Sequence, residues 1–396
     1  MTSAADLLSA DGQQVLSLLS GREVTPDRAL QLGTELRGRF PADLVAAALT
    51  QQALRMAGRT KFSRADEMYF TRPGLEQASS ELTARHSARR FAGLETVADL
   101  CCGIGGNLAA LASAADHVLA VDTDLTSLKF ALRNAAVYGS ATPVIGVCAD
   151  AAELTWARTS PAPIGARRVD AVFIDPARRT GQRRLRAGDS QPPLDWCFAL
   201  AGEVRAVCIK AAPGLPHNLV PDGWEIEFVA TGRNLKEALL WSPEMATTPR
   251  RATILPGGDT MTAEPGSPVR IAAPGSYLLD PSPAVTRAGL VEELARTLGA
   301  WKIDPMIAFL ASDQAIETPF ARTLRVLESM PWNERQVARR LRELEIGTAD
   351  IRRRGLAGDV DLIHRRLGLQ GEGSATVVLT RRDGKPWGLI CTPAED

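Results

Sequence analysis

The sequence predicts an α/β protein: an open, mostly parallel sheet, preceded by a helical region and followed by a smaller α/β unit. Three observations carry this expectation. Residues 97–107 (VADLCCGIGGN) read as a buried strand ending in a carboxylate, then a glycine loop, then a helix start. Further short apolar runs recur downstream, the next three each followed closely by an aspartate. A breaker-rich stretch at 255–268 then separates off a second run of mixed helical and strand patterns.

Before residue 61 the pattern is helical. Thr25-Pro26-Asp27 combines a cap with a first-turn proline, and 41–57 places Leu44, Ala47, Ala48, Leu54 and Met56 at helical spacing. Residues 1–60 are therefore read as a helical lid or docking region without chemistry of its own. In the central region, 61–254, the strand ending at Asp99 is followed by 117–121, closed by Asp122. A helix over 124–138 starts on the Asp124 cap and ends at Gly139. Strands at 143–148, 169–174 and 204–210 follow, with Asp150 and Asp175 just after the first two. Segments 225–229 and 237–241 read as late hairpin strands. After the linker at 255–268, residues 269–396 form the second unit. It contains helices at 286–298, from 319 to 327 and at 333–344, and a terminal strand pair at 375–380 and 386–392.

Any one of these aspartates reads equally well as a helix cap. Four of them (Asp99, Asp122, Asp150, Asp175) at strand carboxyl ends beside a glycine loop read as a ligand crevice. The glycines also fit a loose dinucleotide pattern (Gly103, Gly105, Ala109), but a pyrophosphate at the helix N-terminus would be repelled by Asp99. A ligand carrying an ammonium and a sulfonium would be attracted, which favours S-adenosylmethionine. Asp122 then suits ribose hydroxyls, and Asp150 the adenine amine.

The motifs Asp99-Leu-Cys-Cys-Gly103-Ile-Gly105-Gly106-Asn107, Ala120-Val-Asp122-Thr-Asp124, Arg133-Asn134 through Tyr138-Gly139, and Asp175-Pro176-Ala177-Arg178 resemble class I S-adenosylmethionine-dependent methyltransferases. Within that class they most resemble the trimethylguanosine-synthase-related branch, including bacterial members with a THUMP-like C-terminal domain. The resemblance covers about residues 61–241. It implies a Rossmann-like, seven-stranded, mostly parallel sheet. It also implies cofactor contacts at Thr71, Asp99, Cys101, Gly103, Gly105, Asn107, Asp122, Thr123 and Asp150. Cys101 and Cys102 are also read as small apolar packing residues.

Amino-methyltransferases of this class carry an acid-Pro-Pro-aromatic motif whose acid and main-chain carbonyl orient the target amine. This chain keeps Asp175 and Pro176 and has Ala177 and Arg178 where the second proline and the aromatic stand. An arginine plane can stack on a base or bind a phosphate. The resemblance thus assigns Asp175, Pro176 and Arg178 to the acceptor. Uridine-C5 chemistry would need a cysteine just before Pro213, where Ala211 and Ala212 stand instead.

Arg178, Arg179, Arg183, Arg184 and Arg186 follow at the methyl-accepting edge and read either as a phosphate-binding loop or as a solvated loop. The tail over 362–391 resembles the THUMP-like domain of the same bacterial family, implying RNA at one remove. Arg352, Arg353 and Arg354 are its expected phosphate contacts. The reading is a methyltransferase acting on a base nitrogen of RNA, with tRNA or rRNA as the expected substrate. The alternatives are a small-molecule methyltransferase and a cofactor-binding RNA-binding protein with little turnover.

Composition sets the frame. The 396 residues imply two or three domains, and equal totals of 46 basic and 46 acidic residues argue neither for nor against a nucleic acid partner. Six cysteines without a C-x-x-C pair suggest neither a zinc ribbon nor a disulfide framework, and the four histidines show no ligand spacing, so no metal is expected. With no basic apolar leader and no run of 18 apolar residues, a cytoplasmic protein with no membrane association is expected.

Overall fold

The computed structural model describes residues 4–139, 142–156, 168–177, 179–180, 183–184 and 190–394. The chain divides into two compact units, Met1–Ile226 with Glu237–Thr247, and Glu227–Lys236 with Thr248–Asp396.

The first unit opens with helices α1 (Ala10–Leu19), α2 (Pro26–Arg37) and α3 (Ala42–Gly58). Ser9 and Thr25 cap α1 and α2 by accepting backbone N–H bonds. Their apolar faces (Val15, Leu16, Leu19, Leu36, Leu44, Val45) form one core with Tyr69 and Phe130. Short helices α4 (Arg72–Gln77) and α5 (Glu81–Ala88) lead to β1 (Thr96–Leu100), α6 (Leu108–Ala112), β2 (His117–Asp122), α7 (Leu125–Val137), β3 (Val144–Cys148) and β4 (Ala171–Ile174). A two-residue ladder pairs β5 (Arg179–Thr180) with β6 (Arg183–Arg184). Helix α8 (Leu194–Ala199) and strand β7 (Ala206–Ala211) follow, then β8 (Glu225–Thr231) and β9 (Asn234–Trp241).

Strands β3, β2, β1, β4 and β7 are mutually parallel, and β9 pairs antiparallel with β7. Central strand β1 is buried at every position, as a parallel strand covered on both faces must be. Edge strand β3 is partly or fully exposed throughout. Phe91 packs against Phe173 and Trp241 with ring centroids 6.2 and 6.0 Å away. The sheet that contains these strands has nine strands, two more than the seven expected of the class.

In the second unit, β10 (Arg250–Leu255) and β11 (Asp259–Thr262) form an antiparallel hairpin. The stretch expected to be a linker therefore carries strand, because Pro256-Gly257-Gly258 makes a tight turn and Ile254 and Met261 are buried. A seven-stranded sheet follows in the order β13 (Trp301–Lys302), β14 (Leu310–Ser312), β12 (Tyr277–Pro281), β15 (Ala321–Pro331), β18 (Lys385–Pro393), β17 (Gly373–Arg382), β16 (Ile346–Arg353). The helix expected over 286–298 is two helices, α9 (Pro283–Ala288) and α10 (Val291–Leu298). Left-handed Gly289 (φ 68°) ends the first. The helix expected to start at 319 is instead β15. Antiparallel pairing with β12 on one side and β18 on the other absorbs its backbone groups, and that outweighs a local helical pattern. Helices α11 (Glu334–Glu343) and α12 (Val360–Leu367) pack on β16 and β17 through Val337, Leu341, Ile363, Leu367 and Val377.

Candidate active site

The carboxyl ends of the parallel strands open into a cavity of about 400 Å³. Asp99, Asp122, Asp150 and Asp175 all line it, together with Cys101, Gly103, Asn107, Thr123 and Pro176. Four carboxylates delivered by four separate strands therefore share one hollow.

The glycine loop is held in an unusual backbone. Cys101, Gly103 and Gly105 have φ of 59°, 55° and 82°. Left-handed backbone suits the two glycines and strains Cys101. An added Cβ on Gly103 would point into open space, whereas one on Gly105 would lie 2.9 Å from Ala131 Cα. Asp122 braces the loop: Oδ2 accepts from Gly103 N–H at 2.8 Å and Oδ1 from Asp124 N–H at 2.8 Å. Each oxygen keeps a lone pair for a ligand hydroxyl.

Buried Asn134 on α7 clamps the loop to the preceding segment. Its side chain accepts from Tyr69 N–H at 2.7 Å and donates to Tyr69 and Ile104 carbonyls, both at 2.8 Å. From the other side, Gln51 and Arg55 of α3 hold Met68 and Phe70 through backbone bonds of 2.9–3.3 Å. The N-terminal helices thus support the segment that Asn134 ties to the glycine loop.

Electrostatics at the strand ends are unusual. Asp99 is buried, its Oδ2 has no hydrogen-bond partner among the described residues, and burial holds its carboxyl well above the usual range. Asp175 and Asp122 push the same way, and Lys210 opposes them. Buried Asn107 Oδ1 is a second acceptor on the same wall without a partner among the described residues. The Lys210 ammonium lies 2.6 Å from Asp175 Oδ2, with the lysine side chain 5% exposed and the aspartate 25%. Glu237 is buried beyond Lys210, accepts from Ser79 Oγ at 3.3 Å, and has its carboxyl raised by burial while Lys210 counteracts. Adjacent strands β4, β7 and β9 therefore present carboxylate, ammonium, carboxylate in a row.

Two unpartnered buried acceptors on a wall of carboxylates fit a ligand that brings cationic donors, and they do not fit a pyrophosphate. The donor set therefore suits the ammonium and sulfonium of S-adenosylmethionine. Cys101 is half-buried and its thiol is pushed far up, chiefly by desolvation and then by Asp122 and Asp175, so it is inert as a thiolate. Cys208 is buried within β7.

Several sequence-expected residues lie elsewhere. Thr71 caps α4, accepting from Gly74 N–H at 3.1 Å, and does not line the cavity; Gly74 does. Gly105 turns the loop behind the cavity wall and lines a separate hollow with α5 and α6. Arg178 lies outside the described residues, and Arg179, Arg183 and Arg184 are described only as backbone in the β5–β6 ladder. In the second unit, Arg354 is committed internally. It donates to Asp280 Oδ1 at 2.7 Å, the Pro281 carbonyl at 3.0 Å and Thr286 Oγ1 at 3.1 Å. Arg352 and Arg353 each spend one donor locally, on Asp350 and on the Gly358 carbonyl. Sequence reasoning missed Lys210 and Glu237. A charge inside an otherwise apolar strand (Ala206–Ala211) was the one available signal for Lys210.

Comparison with known proteins places this cavity in context. The RNA cap guanine-N2 methyltransferase family matches residues 94–178, a THUMP-domain-like family matches 321–393, and a domain of unknown function matches 1–58. Two uncharacterized S-adenosylmethionine-dependent methyltransferases of Mycobacterium tuberculosis, strains CDC 1551 and H37Rv, are each 36% identical over 319 residues. The match covers 79% of this chain and 84% of each relative. A crystal structure from Porphyromonas gingivalis W83, provisionally described as a methyltransferase, superposes with a TM-score of 0.76 at 24% identity. It covers 96% of this chain and 97% of that one, and it shares the fold.

Proposed function

The chain belongs to the S-adenosylmethionine-dependent methyltransferases, and from that premise we propose that it methylates a base nitrogen of an RNA. When bound, S-adenosylmethionine supplies an electrophilic methyl group on a sulfonium. Asp99 and Asn107 Oδ1 would hold the methionine ammonium, the Gly103 backbone the methionine end, Asp122 the ribose hydroxyls and Asp150 the adenine amine. Asp150 Oδ1 accepts from Ala152 N–H at 2.9 Å, which holds the carboxylate in place for the ligand.

The observation that carries the reading is the Asp175–Lys210 pair. Lys210 pins Oδ2, and among the described residues Oδ1 makes no hydrogen bond while Asp175 lines the cavity. A fixed acceptor with one free oxygen, next to the Pro176 carbonyl, can take the hydrogens of a planar amine and aim its lone pair. Asp175 is then the acceptor-binding residue, and Lys210 positions it. RNA as substrate draws support from the guanine-N2 methyltransferase match over the site and the THUMP-like match over the tail. Guanine and adenine both carry the exocyclic amine this arrangement accepts.

The test is transfer of labelled methyl from S-adenosylmethionine to total RNA from cells lacking the protein. Wild type should label RNA. Asp175→Ala should lose transfer while still binding S-adenosylhomocysteine. Persistent transfer in that variant would remove Asp175 from the acceptor site, and no labelling by wild type would remove RNA.

A further inference from the structure

A second cavity, of about 470 Å³, lies wholly within the second unit. Its lining includes Arg233, Asp280, Phe309, Arg352, Arg353 and Arg354. The volume falls in the range of sites that enclose small organic ligands.

The charges around this cavity do not balance. Buried Asp280 takes two guanidinium groups, Arg354 at 2.7 Å on Oδ1 and Arg233 at 2.6 Å on Oδ2. Asp350 takes Arg352 at 2.9 Å and Arg322 at 3.5 Å. Among the described residues Arg353 meets only a carbonyl, that of Gly358. Five arginines therefore share two carboxylates. The strain registers at Arg233, which burial weakens as a cation and Asp280 supports, while Arg352 and Arg322 repel it.

Donors also remain unused. Arg354 is spent: besides its three acceptors it lies over the Phe309 ring, 5.0 Å from the centroid, and serves as a fixed floor. Among the described residues Arg233 uses only Nη2, Arg352 only Nε and Arg353 only Nη1 in hydrogen bonds. Three half-exposed or exposed guanidiniums thus present unspent N–H groups around one hollow. Forked, permanently charged donors of this kind match the oxygens of a phosphate. A lone small anion would leave most of the volume empty, whereas a nucleotide with its flanking phosphate would fill it.

We propose that this arginine-walled cavity grips a phosphate-bearing segment of the RNA, with Arg233, Arg352 and Arg353 contacting phosphate oxygens and Asp280 with Arg354 acting as the rigid base. The inference deepens the RNA reading given above and rests on it. It also assigns the β8–β9 turn, which carries Arg233, to the binding surface, a segment that the tail's own sequence pattern does not include.

The experiment uses the full-length protein and a fluorescently labelled single-stranded oligoribonucleotide, titrated by anisotropy from 50 to 300 mM salt. Arg352→Gln combined with Arg353→Gln should weaken binding at least tenfold at 100 mM salt. It should also flatten the plot of log affinity against log salt by about 0.7 for each phosphate that the variant no longer neutralises. Arg233→Gln alone should act in the same direction, and melting curves confirm that each variant is folded. A folded double variant with unchanged affinity and slope overturns the cavity assignment while leaving the RNA reading intact. Wild type that binds no RNA overturns the RNA reading and the proposal with it. A parallel thermal-shift arm with inorganic pyrophosphate separates the sources. Protection of wild type but not of the double variant, without RNA binding, would place a small phosphorylated molecule in the cavity instead.

Discussion

Replacing Lys210 by methionine tests the row of charges at the strand ends. The ammonium lies 2.6 Å from Asp175 Oδ2 and is 5% exposed, so the variant keeps the stem's volume and removes only the charge and the bond. Breaking a fully buried ion pair by deleting one partner costs about 3–5 kcal/mol. Asp175 is 25% exposed and opens to the cavity, where water shares its charge, so a cost of about 2 kcal/mol is the scaled expectation. If that hold on Asp175 is lost in the transition state, kcat falls roughly thirtyfold, at about 1.4 kcal/mol per decade. The assay is steady-state transfer of labelled methyl to RNA, with calorimetry of S-adenosylhomocysteine alongside. Lys210 does not line the cavity, so any loss of cofactor affinity should come through the further raised Asp99 carboxyl and recover as pH rises, while kcat is read at saturating cofactor. Lys210→Arg should recover part of the rate. Stability carries an independent sign. Lys210 counteracts the raised carboxyls of Asp99 and Glu237, so removing it raises both further above their unfolded values. A carboxyl raised in the folded state contributes stability below its unfolded pKa and loses it as pH rises through the folded one. The variant's deficit should therefore be smallest near pH 4 and grow upward. A folded Lys210→Met enzyme with kcat within threefold of wild type would refute the positioning role.

Three other outcomes are expected. Asp99 starts with its carboxyl raised by burial, then by Asp175 and Asp122, and a bound ammonium favours the ionised form. Cofactor binding should therefore release a proton and tighten as pH rises toward that raised pKa. Calorimetry in buffers of different ionisation enthalpy reads the release, and Asp99→Asn should abolish it and weaken binding roughly a hundredfold, the scale of a charge-assisted hydrogen bond. Gly103→Ala should cost only about 1 kcal/mol of stability yet weaken cofactor binding, since its Cβ meets nothing and the position lines the cavity. Gly105→Ala should cost about 3 kcal/mol, because its Cβ would stand 2.9 Å from Ala131 Cα. Equal melting points for the two variants would contradict this geometry. Arg354→Ala should destabilise the second unit by about 3 kcal/mol in urea titration, by leaving buried Asp280 with one partner fewer and uncovering Phe309. A change below about 1 kcal/mol would show that Arg354 is not part of the framework.

Much of the active site is legible in the sequence. The strand–glycine loop–helix order and the aspartates at positions 99, 122, 150 and 175 follow from local pattern, because apolar runs and turn residues declare strand ends. All four aspartates do converge on one cavity. Thr71 illustrates the limit: the family resemblance assigns it to the cofactor, whereas here it caps a helix, and its partner Gly74 lines the cavity. The arginine triplet illustrates it again. Three consecutive residues read as equivalent, yet a buried aspartate recruits Arg354 into the framework while Arg352 and Arg353 keep donors unspent around the cavity.

Sequence by itself determined the fold class, the cofactor chemistry and the four aspartates that line the cavity, because each depends on short-range pattern and on the sign of a charge. Tertiary structure alone decided which strand neighbours which. Through that it decided that Lys210 and Glu237 stand beside Asp175, that β15 is a strand, and that Arg233 meets Arg352 across some 120 positions of chain. Such partners come together only when the ladders close, and no local signal encodes an interaction whose energy depends on both ends being desolvated together.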